Sequence, residues 1–285
     1  MFEICRLGLE HLPQLDTFLL THSDTCLFQR SNLRAFGIQD EGKRLQGLWW
    51  GAFHRGELVG VLNHVNIGNV LVQAEESLPD LVQALLRETN KPIKGILGPH
   101  HQAVRCRELL GLGKTEPALD GKDVLMVLDT RELHLPELFH RPGVVLRNPT
   151  RADWDLLNQW HVEFSVEAVN LPDTPQLREE ARAAADRQIH STDAWLLEVN
   201  GQVVAKSAMV ATLPDVVQIG GVYTPLQHRG HGYAKAVVGG SIARGVPGGL
   251  QRAVLFTGED NTIAQRAYTS IGFRPVGYFG LILFG

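Results

Sequence analysis

The chain repeats one order of elements on either side of a stretch with three prolines, residues 136 to 149, PELFHRPGVVLRNP. On each side an extended opening, FEICRLG or GVVLR, leads into a helical stretch. Leu12, Leu15, Phe18 and Leu19 recur at helical spacing in the first; in the second Asp153 can cap, and Trp154, Leu157 and Trp160 share a face. Runs that fold back on themselves follow, GLWWGAFHRGELVGVLNHV in the first half and AWLLEVNGQVVAKSAMVAT in the second. The turns Arg55-Gly56-Glu57 and Asn200-Gly201-Gln202 are hairpin signals, and the Asn-Gly pair is a strong one because a type I′ turn needs positive φ. A strand, a helix, a strand and a short helix come next. In the first half these are NVLVQA, LPDLVQALLRE, IKGILG and HQAVRCRELLG; in the second, VVQIGGVYT, GYAKAVVGGSIARG, RAVLFTG and NTIAQRAYTSIG. This order predicts an α/β (α+β) chain of two domains, 1–135 and 143–285, each a mixed, mostly antiparallel sheet with helices on both sides.

The chemistry concentrates in VYTPLQHRGHGYAKA, residues 222 to 236. A strand ends in Val222-Tyr223-Thr224, and a helix with Ala234, Val237, Val238 and Ile242 on one face begins after a short loop, so Gly230 and Gly232 lie at a helix start. The first amides of a helix have no internal partner, and the aligned peptide dipoles favour negative charge there by roughly 0.3 to 1 kcal/mol. Glycine lets the backbone approach an anion without a Cβ in the way, and His228, Arg229 and His231 can add charge-assisted contacts. A tight turn accounts for a glycine pair before a helix equally well. Other phosphate loops do not fit. A dinucleotide fingerprint needs Gly or Ala where Lys235 stands, no P-loop G-x-x-x-x-G-K-[ST] occurs, and GGSIARG around Ser241 lies inside a helix and lacks the second glycine of a hydrolase elbow.

The spacing Q-x-x-G-x-G, met by Gln227, Gly230 and Gly232 with Ala234 in the first helical turn, resembles the pyrophosphate loop of the GCN5-related N-acetyltransferase (GNAT) superfamily. Residues 261 to 273, NTIAQRAYTSIGF, resemble the next helix of that family. The likeness covers about residues 144 to 285. It implies an acetyl-CoA co-substrate whose pyrophosphate sits on the amides of residues 228 to 234, Tyr233 among them, and whose pantetheine pairs with the strand at Val222, Tyr223 and Thr224. It also implies that the strands splay near Gly220 and Gly221, where a bulge is a natural place for glycines, and that the Val222 N–H can face a developing oxyanion. The first half departs from the pattern: EESLPDLVQA follows its corresponding strand, with no glycine pair and with Glu75 and Glu76 to repel a pyrophosphate. It reads as a degenerate copy that keeps the fold without the CoA site.

Tyr268 matches the family tyrosine beside the CoA sulfur. A phenol of pKa about 10 protonating a thiolate whose acid has pKa about 8.5 runs uphill by ~2 kcal/mol. Ala264, Tyr268 and Ile271 also share a helix face, so a core aromatic is the competing reading. Asn261 matches a CoA contact and is equally an N-cap, while Thr262 and Gln265 have capping-box spacing. No carboxylate stands on VVQIGGVYT to take a proton from an amine, which at pH 7 costs about 4.6 kcal/mol to free of its proton. His161, Glu163 and Glu167, in the helical region that borders the acceptor site in that family, are base candidates by this resemblance, with a solvated helix face as the plainer reading. The expected activity is transfer of an acetyl group from acetyl-CoA to a primary amine of a small molecule or peptide by direct attack. The missing base leaves a second reading, a CoA-responsive binding or regulatory module without turnover.

A net charge of −4 gives no basic field for a nucleic-acid backbone. Glu3 stands where a secretory signal carries positive charge, and no apolar run approaches the ~20 residues of a membrane span, so a cytoplasmic protein is expected. Cys5, Cys26 and Cys106 are odd in number and far apart, which suits free thiols rather than a disulfide framework or a zinc site. His100 and His101 point different ways on a turn without a carboxylate at ligand spacing, so no metal is expected.

Overall fold

Both hairpin signals act as the sequence requires. In the computed structural model, which describes residues 1–168 and 171–284, Arg55 and Gly56 take φ 52° and 81°, and Asn200 and Gly201 take 51° and 81°. Positive φ at both centres twists each turn to match its strands, so β2 (Gly47–His54) folds onto β3 (Glu57–Val65), and β8 (Ala194–Val199) onto β9 (Gln202–Thr212).

The chain divides into two compact units, residues 1–124 with 277–285, and residues 125–276. In the first unit, β1 (Glu3–Arg6), β2, β3, β4 (Asn69–Ala74), β5 (Gly95–Pro99) and β12 (Arg274–Leu283) are neighbours in that order. Phe279 to Leu283 of β12 pair antiparallel with β5. Helices α1 (Leu12–Thr21) and α2 (Leu27–Phe36) cover one face, packing on Trp49, Phe53 and Val61. Helices α3 (Leu78–Glu88) and α4 (His100–Leu109) cover the other, packing on Trp50, Ala52 and Leu62. Alternation along a strand sends Trp49 and Trp50 to opposite faces, and burial of each such large side chain stabilises by roughly 1.5 to 3 kcal/mol.

In the second unit the order is β6 (Leu119–Asp129), β11 (Arg252–Gly258), β10 (Val216–Tyr223), β9, β8 and β7 (Val144–Arg147). Strands β6 and β12 are the two whose residues fall on both sides of the division, so the grouping by contacts differs from one drawn at the prolines. Helices α5 (Trp154–Glu167) and α6 (Pro175–Ile189) bury Leu157, Trp160 and Ala185 against Leu196 and Tyr223. Helix α7 (Tyr233–Gly245) takes the other face, its Ser241 Oγ 3.5 Å from Ser207 Oγ on β9. Helix α8 (Thr262–Thr269) follows β11.

The start of α5 is pinned by charge. Thr150 and Asp153 form a capping box, and Arg147 grips Asp153 with two bonds of 2.8 Å while its Nε meets Glu198 at 2.9 Å. The Arg147 hydrogen bonds hold the Asp153 carboxyl down to about 2, against the opposing effect of burial. All three cysteines are free; burial pushes Cys106 up to about 12, and Cys26 is raised by the same cause. Among the described residues no helix is long and apolar enough to cross a membrane.

Candidate active site

Strand β10 loses its partners at the glycines. It runs parallel to β11 from Val216↔Arg252 to Ile219↔Leu255, and the pairing stops there although both strands continue. On its other edge Gly220 opposes Ala208 and Tyr223 opposes Lys206, which leaves Gly221 and Val222 as a bulge. Gly221 takes φ 57°, and a Cβ there would meet nothing within 4 Å. Beyond Ile219 the two parallel strands are thus no longer paired, and backbone groups of Gly221 and Val222 lie outside the ladders.

The loop that follows forms a backbone cradle. A 3-10 turn, Leu226–His228, is followed by Gly230 at φ 82° and by Gly232 at φ 78° as the N-cap of α7. Left-handed values at both positions are ones that residues with a Cβ rarely adopt, which accounts for a glycine at each. Ala236 N–H closes the first bond back to the Gly232 carbonyl. The N–H groups of residues 230 to 235 donate to no protein atom among the described residues. Arg229 is anchored at the rim, its Nε donating to the Thr224 carbonyl at 2.9 Å and its Nη2 to Glu167. The His231 ring stacks on Tyr233 at 5.4 Å and its Nδ1 lies 2.8 Å from the Arg229 carbonyl, while His228 meets Tyr233 edge-on. Gln227 is exposed. The Thr224 hydroxyl is buried with no hydrogen-bond partner among the described residues.

Next to the bulge, Tyr223 turns toward α5. Its ring packs against Trp160 and Phe164, and its hydroxyl lies 2.9 Å from Glu163 Oε2 and 3.1 Å from Glu167 Oε1. Burial, and then the two carboxylates, push the phenol up. At a residue only 4% exposed, the contact expected of Tyr223 with a pantetheine is left to its backbone. Glu163 and Glu167 are therefore not merely a solvated helix face: both serve the tyrosine, and Gln159 Nε2 donates to Glu163 Oε1 at 2.7 Å. Lys206, opposite Tyr223 on β9, is 3% exposed, and burial lowers it to about 8 while Glu163 works the other way. His161 is also lowered, by burial first and by Lys206 second.

On the β11 side, Asn261 is the N-cap of α8, its Oδ1 accepting from the Ala264 N–H at 3.1 Å. The capping-box spacing of Thr262 and Gln265 is not used: Gln265 Nε2 reaches back to the carbonyls of Gly258 at 3.0 Å and Glu259 at 2.9 Å. Tyr268 is 8% exposed and packs on Phe273. Burial pushes its phenol up to about 12. Proton transfer from it to a thiolate then runs uphill by about 5 kcal/mol rather than ~2.

Residues 154–273 match the model described as Acetyltransferase (GNAT) family. They form a GNAT-family domain. Among curated proteins none matches the chain. Over its whole length the chain is similar in fold to solved structures at low identity. One is a Drosophila protein, at 13% identity, with 99% of each chain covered and a TM-score of 0.65. Another is a tandem GNAT protein from the clavulanic acid biosynthesis pathway, at 13% identity over 99% of this chain and 98% of that one, with a TM-score of 0.57. A third is a GNAT-family acetyltransferase from Colwellia psychrerythraea, at 15% identity over 100% of both chains, with a TM-score of 0.53. The chain thus has the fold of two tandem acyl-CoA N-acyltransferase-like domains, and the GNAT family and fold support acyl transfer from an acyl-CoA.

The first unit shows the same strand-to-helix switch with different chemistry. Strand β4 runs parallel to β5 from Asn69↔Gly95 to Leu71↔Leu97, but no glycine pair precedes α3. Glu75 stands at the end of β4 and accepts from Gln102 Nε2 at 2.7 Å, with His101 Nε2 at 3.0 Å. Burial raises its carboxyl, but these hydrogen bonds and the charges of His101 and Arg105 outweigh it and leave the pKa lowered. A fixed anion of the protein's own occupies this switch, and it supplies His101 with the carboxylate that sequence spacing did not reveal. Among the described residues no three His, Cys, Asp or Glu side chains converge as a metal site.

On and beside the GNAT domain's α5 stand Asn158, Lys206 and α6 with Arg178 and Arg182, none of which belongs to a motif in the sequence. The one available signal was Lys206 itself, a charge amid the small residues of a strand, AKSA.

Proposed function

We propose that the second domain transfers an acetyl group from acetyl-CoA to a primary amine by direct attack. The observation that carries this reading is the loop of residues 230 to 235 beside a strand bulge, whose N–H groups have no protein acceptor among the described residues. A doubly charged pyrophosphate suits such a set of amides at a helix N-terminus. Gln227, His228, Arg229 and His231 border it, and Tyr233 and Ala234 begin the helix behind it. Along β10 the backbone of Val222 and Tyr223, with the unpartnered Thr224 hydroxyl, suits the amide groups of a pantetheine arm. Asn261 spends its Oδ1 on the α8 cap and keeps its Nδ2 for a contact.

An acyl-CoA supplies an activated carbonyl whose sulfur leaves as a thiolate. The Val222 N–H, outside both ladders, stabilises the negative charge that grows on the carbonyl oxygen as the amine nitrogen bonds to its carbon. Glu163 accepts the proton the nitrogen must lose, its carboxylate held in place by Gln159 and Tyr223. Tyr268 gives its proton to the departing sulfur as the carbon–sulfur bond breaks. The proton balance between Glu163 and Tyr268 is restored through solvent. In the first domain, Glu75 at the corresponding switch supports a fold without acyl-CoA binding.

Thiol release from acetyl-CoA across a panel of amines tests this reading. Amine-dependent release with a stoichiometric amide product is expected. Tight binding of acetyl-CoA with no release for any amine contradicts it and favours a binding module.

A further inference from the structure

Between α5 and α6 of the second domain lies a cavity of about 380 Å³, with Asn158, Gln159, Glu163, Asp173, Arg178 and Arg182 in its wall. That size is at the lower end for small-ligand pockets, roughly 300 to 1,000 Å³, and suits a small molecule better than a polypeptide. The wall carries charges of both signs. Arg178 and Asp173 satisfy each other at 2.6 Å, which removes one of each. Glu163 and Arg182 remain. The two oxygens of Glu163 accept from neutral donors, Gln159 and Tyr223, and no cation is within ion-pair distance among the described residues. Among the described residues Arg182 meets Glu179 alone, at 3.3 Å, in an exposed pair one turn apart, which leaves most of its guanidinium donors open.

A further observation sets the polarity of the ligand at the Glu163 end. Among the described residues Asn158 Oδ1 is buried without a hydrogen-bond partner, an arrangement that an incoming N–H relieves. Two acceptors, the Asn158 oxygen and the Glu163 carboxylate, thus belong to one wall, and a fork of donors on Arg182 to another. Glu163 is also the residue bonded to Tyr223, one position after Val222 on the bulge.

We propose that the acceptor is a small amine that also carries a carboxylate, an amino-acid-like zwitterion. Its amine meets Glu163 and Asn158, and its carboxylate meets Arg182. A simple amine leaves Arg182 without an anion, and a polyamine opposes it with like charge. This rests on the reading of the second domain as an amine acyltransferase.

The test uses the full chain with acetyl-CoA and three matched series: free amino acids, their methyl esters and the corresponding decarboxylated amines. For the best side chain, the free acid should exceed both neutralised forms at least tenfold in kcat/KM, and Arg182→Gln should reduce that ratio to within about threefold, as expected for loss of a charge-assisted bond. Equal rates for acid and ester, or a preference for the decarboxylated amine, overturns the proposal while leaving the acyltransferase reading intact. Absence of thiol release with every amine defeats the acyltransferase reading instead. The zwitterion site is then decided by ligand-induced thermal shift, which needs no turnover. A shift with free acids alone that Arg182→Gln abolishes supports it, and no shift, or the same shift with esters, overturns it.

Discussion

The hydroxyl of Tyr223 lies 2.9 Å from Glu163 Oε2, joining the end of the bulged strand β10 to helix α5 across 60 positions of sequence. The single phenolic proton serves two carboxylates, since Glu167 Oε1 is at 3.1 Å. Removing it takes one of two neutral donors from Glu163 while leaving the ring packing against Trp160 and Phe164 in place. Tyr223→Phe should therefore lower kcat/KM for the amine about ten- to a hundredfold and leave the acetyl-CoA dissociation constant within threefold. Steady-state kinetics paired with calorimetry checks this, and an equal loss in both quantities points to a collapsed strand instead.

Much of this was legible in the chain. Hairpin centres and the Gln227-Gly230-Gly232 spacing are local signals, and each constrains φ or an exposed amide within a few residues. The Glu163–Tyr223 contact is not local, and nothing near either residue announces the other. Helix α6 escaped notice because its buried positions are mostly alanines, Ala181, Ala184 and Ala185 with Leu177, too small to stand out as an apolar stripe. Residues 277–285 group with the first unit through long-range pairing of β12 with β5, which no period in the sequence encodes.

Tyr268 holds its proton more firmly than a free phenol, because burial pushes it to about 12. It stays protonated throughout the pH range in which amines react, so the acid role proposed for it should give no falling limb below pH 10. Tyr268→Phe should cut kcat about ten- to a thousandfold with amine KM little changed. A Phe variant with wild-type kcat at every pH removes Tyr268 from the chemistry and leaves it as a core aromatic.

Lys206 makes a prediction about stability. Burial lowers its folded pKa to about 8, below an unfolded value of about 10.4, so the unfolded chain binds more protons between those limits. This residue's contribution therefore makes stability rise with pH across that window, by up to about 3 kcal/mol. Lys206→Met should be more stable than wild type at pH 7, and the advantage should shrink as pH rises from 8 to 10. Urea melts of both proteins at several pH values check the sign; an advantage independent of pH contradicts it.

Asp153 behaves in the opposite sense. Its folded pKa of about 2 lies below the unfolded value near 3.9, so its contribution is present above pH 4 and lost as pH falls toward 2. Arg147→Ala breaks the double bond to Asp153 and the contact with Glu198, and should cost roughly 1.5 to 3 kcal/mol at pH 7. The difference from wild type should narrow in acid, as measured by denaturant midpoints at pH 7 and pH 3.

The central claim is that the backbone amides of residues 230 to 235 hold an acyl-CoA, and Gly232, the N-cap of α7, tests it because its φ of 78° is costly for a β-branched residue. Calorimetry of acetyl-CoA with wild type and with Gly232→Val, both shown by circular dichroism to be folded, measures it directly. The account predicts saturable binding to wild type and at least a tenfold weaker affinity for the variant. Equal affinities in the two proteins, or no binding to wild type, contradict it.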